Sequence, residues 1–311
     1  MNKIVSRLCA VFLCAAAGAA QAQVCSNPDT LRLAVIPQMK DQATAGHYDA
    51  LIETLKDELD RNVVLVPAGS YGAVIEGLFD GRVDLAELGP GSYAQARDRG
   101  ANITAFASLH KQIDASGPSK YHSVLITRKD AGIQSLEALR GAALSLVDPV
   151  STSGGIVPRV AVQRMTGMPL EAWFGRVSFA GSHDVAMDAV LNGRVAAAFV
   201  ADTRVKEGRY NGRPAADALR IIWRSDPIPS DPFAYQVGLC ESVKQAIRRV
   251  FFERQDDLQP LFAWREKQGF VSVSDNDYQL LMHRLPDSRQ LLAEAPVGGQ
   301  RLQRFAEGIY P

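Results

Sequence analysis

Apolar positions in this chain recur at two spacings, and the alternation between them predicts strands and helices in turn. Residues 31–36 form a short apolar run closed by Pro37, as a strand would, while 48–59 carry Leu51, Leu55 and Leu59 at helical spacing. Residues 62–67 read as a second strand. Residues 71–79 then read as a short helix that turns Val74, Ile75 and Leu78 to a core and stops at Asp80-Gly81. Residues 83–88 make a third, buried strand, cut by Gly89-Pro90, and 103–109 a further one. Strand and helix alternating in this way predict an α/β sheet with helices on its faces.

The pattern then repeats. After the loop at 116–119, strands are expected at 121–127, 143–147, 177–179 and 196–200, with a helix after Ser153 and another over 185–191 that stops at Asn192-Gly193. The phrases 74–85 and 185–197 match in pattern: a helix, then Asp-Gly-Arg or Asn-Gly-Arg, then Val-Asp-Leu or Val-Ala-Ala. Two similar lobes follow from that parallel. Residues 226–232 hold three prolines, which fix φ and disfavour helix before them, so this stiff stretch is a candidate hinge crossing. Residues 235–239 read as extended and the chain from Val243 onward as mostly helical, returning to the first lobe. The expected organisation is lobe 1 over 23–120, lobe 2 over 121–225, and a return over 226–311 that completes lobe 1.

The first 22 residues differ from the rest. Lys3 and Arg7 precede the apolar run 8–20, which ends in Ala20-Gln21-Ala22, a pattern of secretory signal and small-residue cleavage site. The run is shorter than the roughly 20 residues of a membrane span. Ala22-Gln23-Val24-Cys25 lacks the small residues that precede a lipidated cysteine, so an exported, periplasmic protein starting near Gln23 is expected. Cleavage would remove Cys9 and Cys14 and leave Cys25 and Cys240 in an oxidising compartment, where a disulfide between them is expected and two separate thiols are the alternative. Lys plus Arg and Asp plus Glu each number 34, so no overall field favours nucleic acid, and any anion site must be local. A monomer is expected.

The segment from Asp148 to Gly155, Asp-Pro-Val-Ser-Thr-Ser-Gly-Gly, joins an apolar strand to a helix start. N–H groups at a helix start lack intrahelical acceptors and carry the positive end of the helix dipole. With the hydroxyls of Ser151, Thr152 and Ser153 and the backbone at Gly154, they make a cradle for a tetrahedral oxyanion. Gly181-Ser182-His183-Asp184 puts a histidine and a carboxylate at another helix start: His183 is a donor to an oxyanion or a capping residue, and Asp184 a ligand acid or an ordinary cap. Ser70-Tyr71 and Ser92-Tyr93 stand at strand-to-helix junctions, where a tyrosine closes a pocket or simply edges the core. Glu87 and Asp202, at strand ends, would pair with a cationic group of the ligand; the alternatives are a surface carboxylate and a helix cap. In open α/β sheets ligands bind beyond the carboxyl ends of the strands, where these residues converge. No nucleophile elbow, Walker loop, zincin motif or zinc-spaced Cys/His set is present, so neither enzyme, cofactor nor metal is expected.

On the segments Asp-Pro-Val-Ser-Thr-Ser-Gly and Gly-Ser-His-Asp, at this separation, the chain resembles the phosphate/phosphite/phosphonate substrate-binding proteins of bacterial ABC transporters, the PhnD-like group. The resemblance runs from residues 31–37 to 221–232. It implies a type II periplasmic binding fold, two α/β lobes closing over ligand, and a permease in the inner membrane as partner. It implies that Ser151, Thr152 and Ser153 hold the phosphorus oxygens, that His183 donates to them, and that Tyr71, Tyr93 and Tyr121 line the cleft. Glu87, Asp184 and Asp202 are then candidates for a ligand amine, although the family pattern is aromatic or apolar where Glu87 stands. A sensory protein of the same fold, reporting to a signalling partner, is the alternative function.

Overall fold

The computed structural model describes residues 25–37, 46–112, 117–210 and 213–279. The expected signal, 1–22, and the stretch 280–311 lie outside these residues. The chain opens with β1 (Thr30–Val35), α1 (Asp49–Leu59), β2 (Asn62–Val66), α2 (Tyr71–Phe79), β3 (Leu85–Glu87), α3 (Pro90–Asp98) and β4 (Ile103–His110). The first crossing strand, β5 (Lys120–Tyr121), leads to β6 (Ser123–Arg128) and β7 (Ala143–Leu146). A π-helical turn at Thr152–Ile156 runs into α4 (Val157–Thr166), then α5 (Leu170–Trp173), β8 (Arg176–Phe179), α6 (His183–Leu191), β9 (Ala197–Ala201) and α7 (Asp202–Glu207). A small ribbon, β10 (Arg209–Tyr210) and β11 (Arg213–Pro214), precedes β12 (Leu219–Arg224). The chain returns through β13 (Ile228–Pro229) to β14 (Pro232–Gln236), α8 (Glu241–Phe252), α9 (Gln259–Trp264) and β15 (Gly269–Ser272).

Two sheets result, and they share a plan. The six-stranded sheet has the order β15-β4-β14-β3-β1-β2 and the five-stranded one β12-β6-β9-β7-β8. In the first, β1 is parallel to β2 and β3, and β14 returns antiparallel between β3 and β4. In the second, β7 is parallel to β8 and β9, and β6 is antiparallel to β9 and β12. The equivalence puts α2 and α6 in matching places, as the repeated sequence phrases lead one to expect. Each starts on a serine cap: Ser70 Oγ accepts from Ala73 N–H and Ser182 Oγ from Val185 N–H. Tyr71 and His183, the residues after those caps, are therefore counterparts in the two halves.

The chain passes between the sheets at β5 and β13, which pair antiparallel, Tyr121 opposite Ile228 and Lys120 opposite Pro229. The prolines expected to mark a crossing are in the second of these segments. The apolar face of α1 (Leu51, Ile52, Leu55, Leu59) meets that of α8 (Val243, Ile247, Val250, Phe251) over one face of the first sheet. Full burial of one such side chain contributes about 1.5–3 kcal/mol. A second core cluster runs from α2 and α3 across to α6 and β9, joining the facing sides of the two sheets.

Two details differ from the sequence expectation. Among the described residues the chain from Val243 onward is mostly helical, as expected, but β15 adds an antiparallel edge strand beside β4. Its four residues are too few to show a period against flanking helical spacing. The helix expected over 185–191 starts at His183, two residues earlier, directly after its Ser182 cap. Pro90 both ends the strand region and begins α3, where its missing N–H leaves no bond unmade. Cys25 and Cys240 form a disulfide, flanked by the bridge of Ser26 to Leu239, and fix the start of the first sheet to the start of α8.

Candidate functional site

The Ser-Thr-Ser segment does build a helix start, and of an unusual kind. Ser151 is the cap, its Oγ accepting from Gly154 N–H at 3.2 Å, and Ile156 N–H reaches back five residues to Ser151 C=O at 2.9 Å. A π turn of this kind widens the first turn and is common at functional sites. The π turn also places Pro158 in the first turn of α4, where its missing N–H is tolerated. Proline has no N–H to donate back along the helix, and the two carbonyls behind it are bonded from elsewhere: Ser123 Oγ donates to Ser153 C=O at 2.6 Å and Val147 N–H to Gly154 C=O at 2.9 Å. Side chains are excluded at the two glycines. A Cβ on Gly154 would come within 2.3 Å of Val147 Cγ2, and one on Gly155 within 2.1 Å of Asp148 C=O.

Thr152 and Ser153, first in that helix, have no intrahelical acceptor for their N–H groups. Ser151, Thr152 and Ser153 are all buried. Ser153 Oγ lies against the Tyr121 phenol but has no well-directed hydrogen-bond partner. Such a buried, unpaired hydroxyl costs about 1–3 kcal/mol unless something fills its bond. Thr152 Oγ1 accepts from Gly91 N–H, at the start of α3 in the other half, at 2.7 Å, and Ser92 Oγ donates to Val150 C=O at 3.2 Å. The two halves thus touch directly at the cradle.

His183 lines the same cleft with its charge state fixed. Ala201 N–H donates to Nδ1 at 3.1 Å, so the neutral ring carries its proton on Nε2. Burial, helped by the nearby Arg204 guanidinium, lowers its pKa to about 3. It is therefore a neutral donor throughout the ordinary pH range. Tyr71 and Tyr121 are pushed up by burial and next by the Asp231 carboxylate, so both stay protonated donors as well. The cleft that these groups share is narrow, with a cavity volume of about 60 Å³.

Of the residues expected at the site, Ser151, Thr152, Tyr71, Tyr121 and His183 line this cleft, and Ser153 and Gly154 complete the turn that holds two of them. The others are not among the residues lining this cleft. Tyr93 donates its hydroxyl to Asp275 at 2.5 Å and accepts from Ala105 N–H, beneath the first sheet. Glu87 is fully buried against Tyr48 and Arg265, the guanidinium lying 2.9 Å from Oε1 as an ion pair although too poorly directed for a hydrogen bond. Asp184 takes a forked contact from Arg204 at 2.8 and 2.9 Å. Asp202 is held by Arg224 at 2.7 Å, Lys206 at 3.4 Å and His122 N–H at 3.0 Å. All three carboxylates offered to a ligand amine are thus engaged by cations of the chain itself.

The sequence reading missed the other wall. Ser230 and Asp231 come from the proline-rich crossing, Thr203, Arg204 and Glu207 from α7, and Arg265 and Lys267 from beyond α9. The crossing had been singled out for its stiffness, and that was the one available pointer to Asp231. Among the described residues no cluster of His, Cys, Asp and Glu could hold a metal ion, and no helix is long and apolar enough to cross a membrane.

Residues 33–278 match the family described as "ABC transporter, phosphonate, periplasmic substrate-binding protein". The chain belongs to that family. Among similar members are the phosphate-import protein PhnD of Mycolicibacterium smegmatis, 31% identical over 280 residues that span 82% of this chain and 85% of that protein, and the phosphonates-binding periplasmic protein of Escherichia coli, 29% identical over 225 residues spanning 71% and 65%. The fold is that of solved type II periplasmic binding proteins. A binding component of a phosphonate transporter from Pseudomonas aeruginosa superimposes with a TM-score of 0.76 at 24% identity, over 86% of this chain and 89% of that one. PhnD1 of Prochlorococcus marinus in complex with methylphosphonate gives 0.74 at 18% identity, over 85% and 100%.

Proposed function

We propose that this member of the family is a periplasmic solute-binding component of an ABC importer that captures a small phosphorus oxyanion, a phosphonate, phosphite or phosphate ester, and delivers it as a monomer to an inner-membrane permease. The observation that carries the reading is the set of neutral donors that line the cleft. Ser151, Thr152, His183, Tyr71 and Tyr121 line one cleft beside the N–H groups of the π turn, and each has a hydroxyl or ring N–H to donate. A phosphoryl group has three acceptor oxygens in a tetrahedral spread and can take up several of these at once.

Capture works by closure. Thr152 belongs to one lobe and bonds the backbone of the other, so a ligand held by Thr152 also favours the closed arrangement by its differential affinity for it. The leader at 1–22 would deliver the chain to the periplasm, and cleavage near Gln23 leaves the disulfide intact. Calorimetric titration of the mature protein with methylphosphonate, phosphite and phosphate tests the reading. At least one should bind with one-site stoichiometry; silence from all three overturns it.

A further inference from the structure

Besides the donors of the cradle, the cleft is lined by Arg265 and Lys267, which come from the turn between α9 and β15. Arg265 is set from below. Its guanidinium pairs with Glu87 at 2.9 Å and reaches the Tyr48 hydroxyl at 3.4 Å, while Tyr48 in turn bonds Glu87. Lys267, two residues on, is half-buried, yet its ammonium makes no hydrogen bond or ion pair among the described residues. Burial, and Arg265 and Lys111 nearby, press against its charge and lower its pKa.

The carboxylates that line the same cleft are already in the field of these cations. Glu207 is paired with Arg204 at 3.0 Å, and Asp231 acts on both Arg265 and Lys267. An ammonium placed here would meet Lys267 and Arg265 with like charge, which is costly in a partly desolvated site. A negative group would give Lys267 the partner that the chain does not supply.

Building on the oxyanion reading above, we propose that the cleft is selective for phosphorus oxyanions whose far end carries a second anionic group, a carboxylate or another phosphoryl, held by Lys267 and Arg265, and that it discriminates against aminoalkyl ligands. Glu87 and Tyr48 act as positioning residues, keeping the Arg265 guanidinium at the wall. A charge-assisted bond to a second anion corresponds to a gain of about tenfold or more in affinity.

Calorimetric titration with methylphosphonate, phosphonoacetate and 2-aminoethylphosphonate tests this. Phosphonoacetate should bind about tenfold more tightly than methylphosphonate, and 2-aminoethylphosphonate more weakly than either. In Lys267→Met, which keeps most of the apolar stem, the ratio of phosphonoacetate to methylphosphonate affinity should fall about tenfold, with Lys267→Arg restoring it. An unchanged ratio in Lys267→Met, or 2-aminoethylphosphonate binding as tightly as phosphonoacetate, overturns the proposal while methylphosphonate binding leaves the oxyanion reading standing. Silence from all three ligands overturns both.

Discussion

Replacing Thr152 by valine separates a cradle that merely holds an anion from one that couples capture to closure. Valine has nearly the shape of threonine but neither donates nor accepts, so the substitution removes the acceptor for Gly91 N–H, now 2.7 Å away, and a donor to the ligand. The two losses fall on the same state. With the lobes closed, Gly91 N–H would be buried without a partner, at about 1–3 kcal/mol, whereas with the lobes apart water satisfies it. The lost bond to a charged ligand adds about 1.5–3 kcal/mol. Allowing for partial compensation, the affinity for methylphosphonate should fall by about 2–4 kcal/mol, roughly 30- to 1,000-fold in Kd. Thr152→Ser keeps both roles and should stay within about fivefold. Calorimetry gives the Kd, and thermal unfolding without ligand supplies the control. A Thr152→Val protein that binds within threefold of the parent refutes the reasoning.

Four further outcomes follow from the same geometry. In Gly91→Ala the added Cβ would come within 2.6 Å of Ile156 Cδ1 and 3.1 Å of Thr152 Oγ1, propping the lobes apart, so ligand affinity should fall by more than tenfold with little loss of apo stability; equal affinity contradicts it. His183 is neutral when folded down to about pH 3 but takes a proton near 6.5 when unfolded, so below 6.5 the unfolded state binds more protons and stability is lost as pH falls. Between pH 8 and pH 5 this amounts to about 2 kcal/mol in urea unfolding, and His183→Gln should lack that component; identical pH slopes count against it. Glu87→Gln leaves Arg265 without its buried counter-charge and should cost about 3 kcal/mol of stability, seen as a lower Tm; an unchanged Tm counts against it. Opening the disulfide by Cys25→Ser with Cys240→Ser frees a separation of 215 residues and should cost up to about 5 kcal/mol by the chain-entropy relation, checked by denaturant unfolding.

The oxyanion half of the site was legible because it is local. Strand, hydroxyls, glycines and helix lie within one short segment, and the Ser-x-x spacing before α2 and α6 shows in sequence as a cap. The π turn was not legible, because the Ser153 and Gly154 carbonyls behind Pro158 are satisfied by Ser123 and Val147, residues that no local pattern connects to it. The far half of the cleft failed for a related reason. A carboxylate at a strand end looks the same whether it meets solvent, a ligand or an arginine, and the arginine that claims Glu87 arrives from beyond α9. The same long-range assembly hid β15, whose partner β4 lies in the first part of the chain.

A crystal structure of the mature protein with methylphosphonate tests the central claim most directly. The phosphoryl oxygens should lie within hydrogen-bond reach of the Thr152 and Ser153 N–H groups, the Ser151 and Thr152 hydroxyls and Nε2 of His183, with Gly91 N–H still on Thr152. Methylphosphonate seated away from that turn, with the Ser151 to Ser153 segment making no contact to it, would contradict the account.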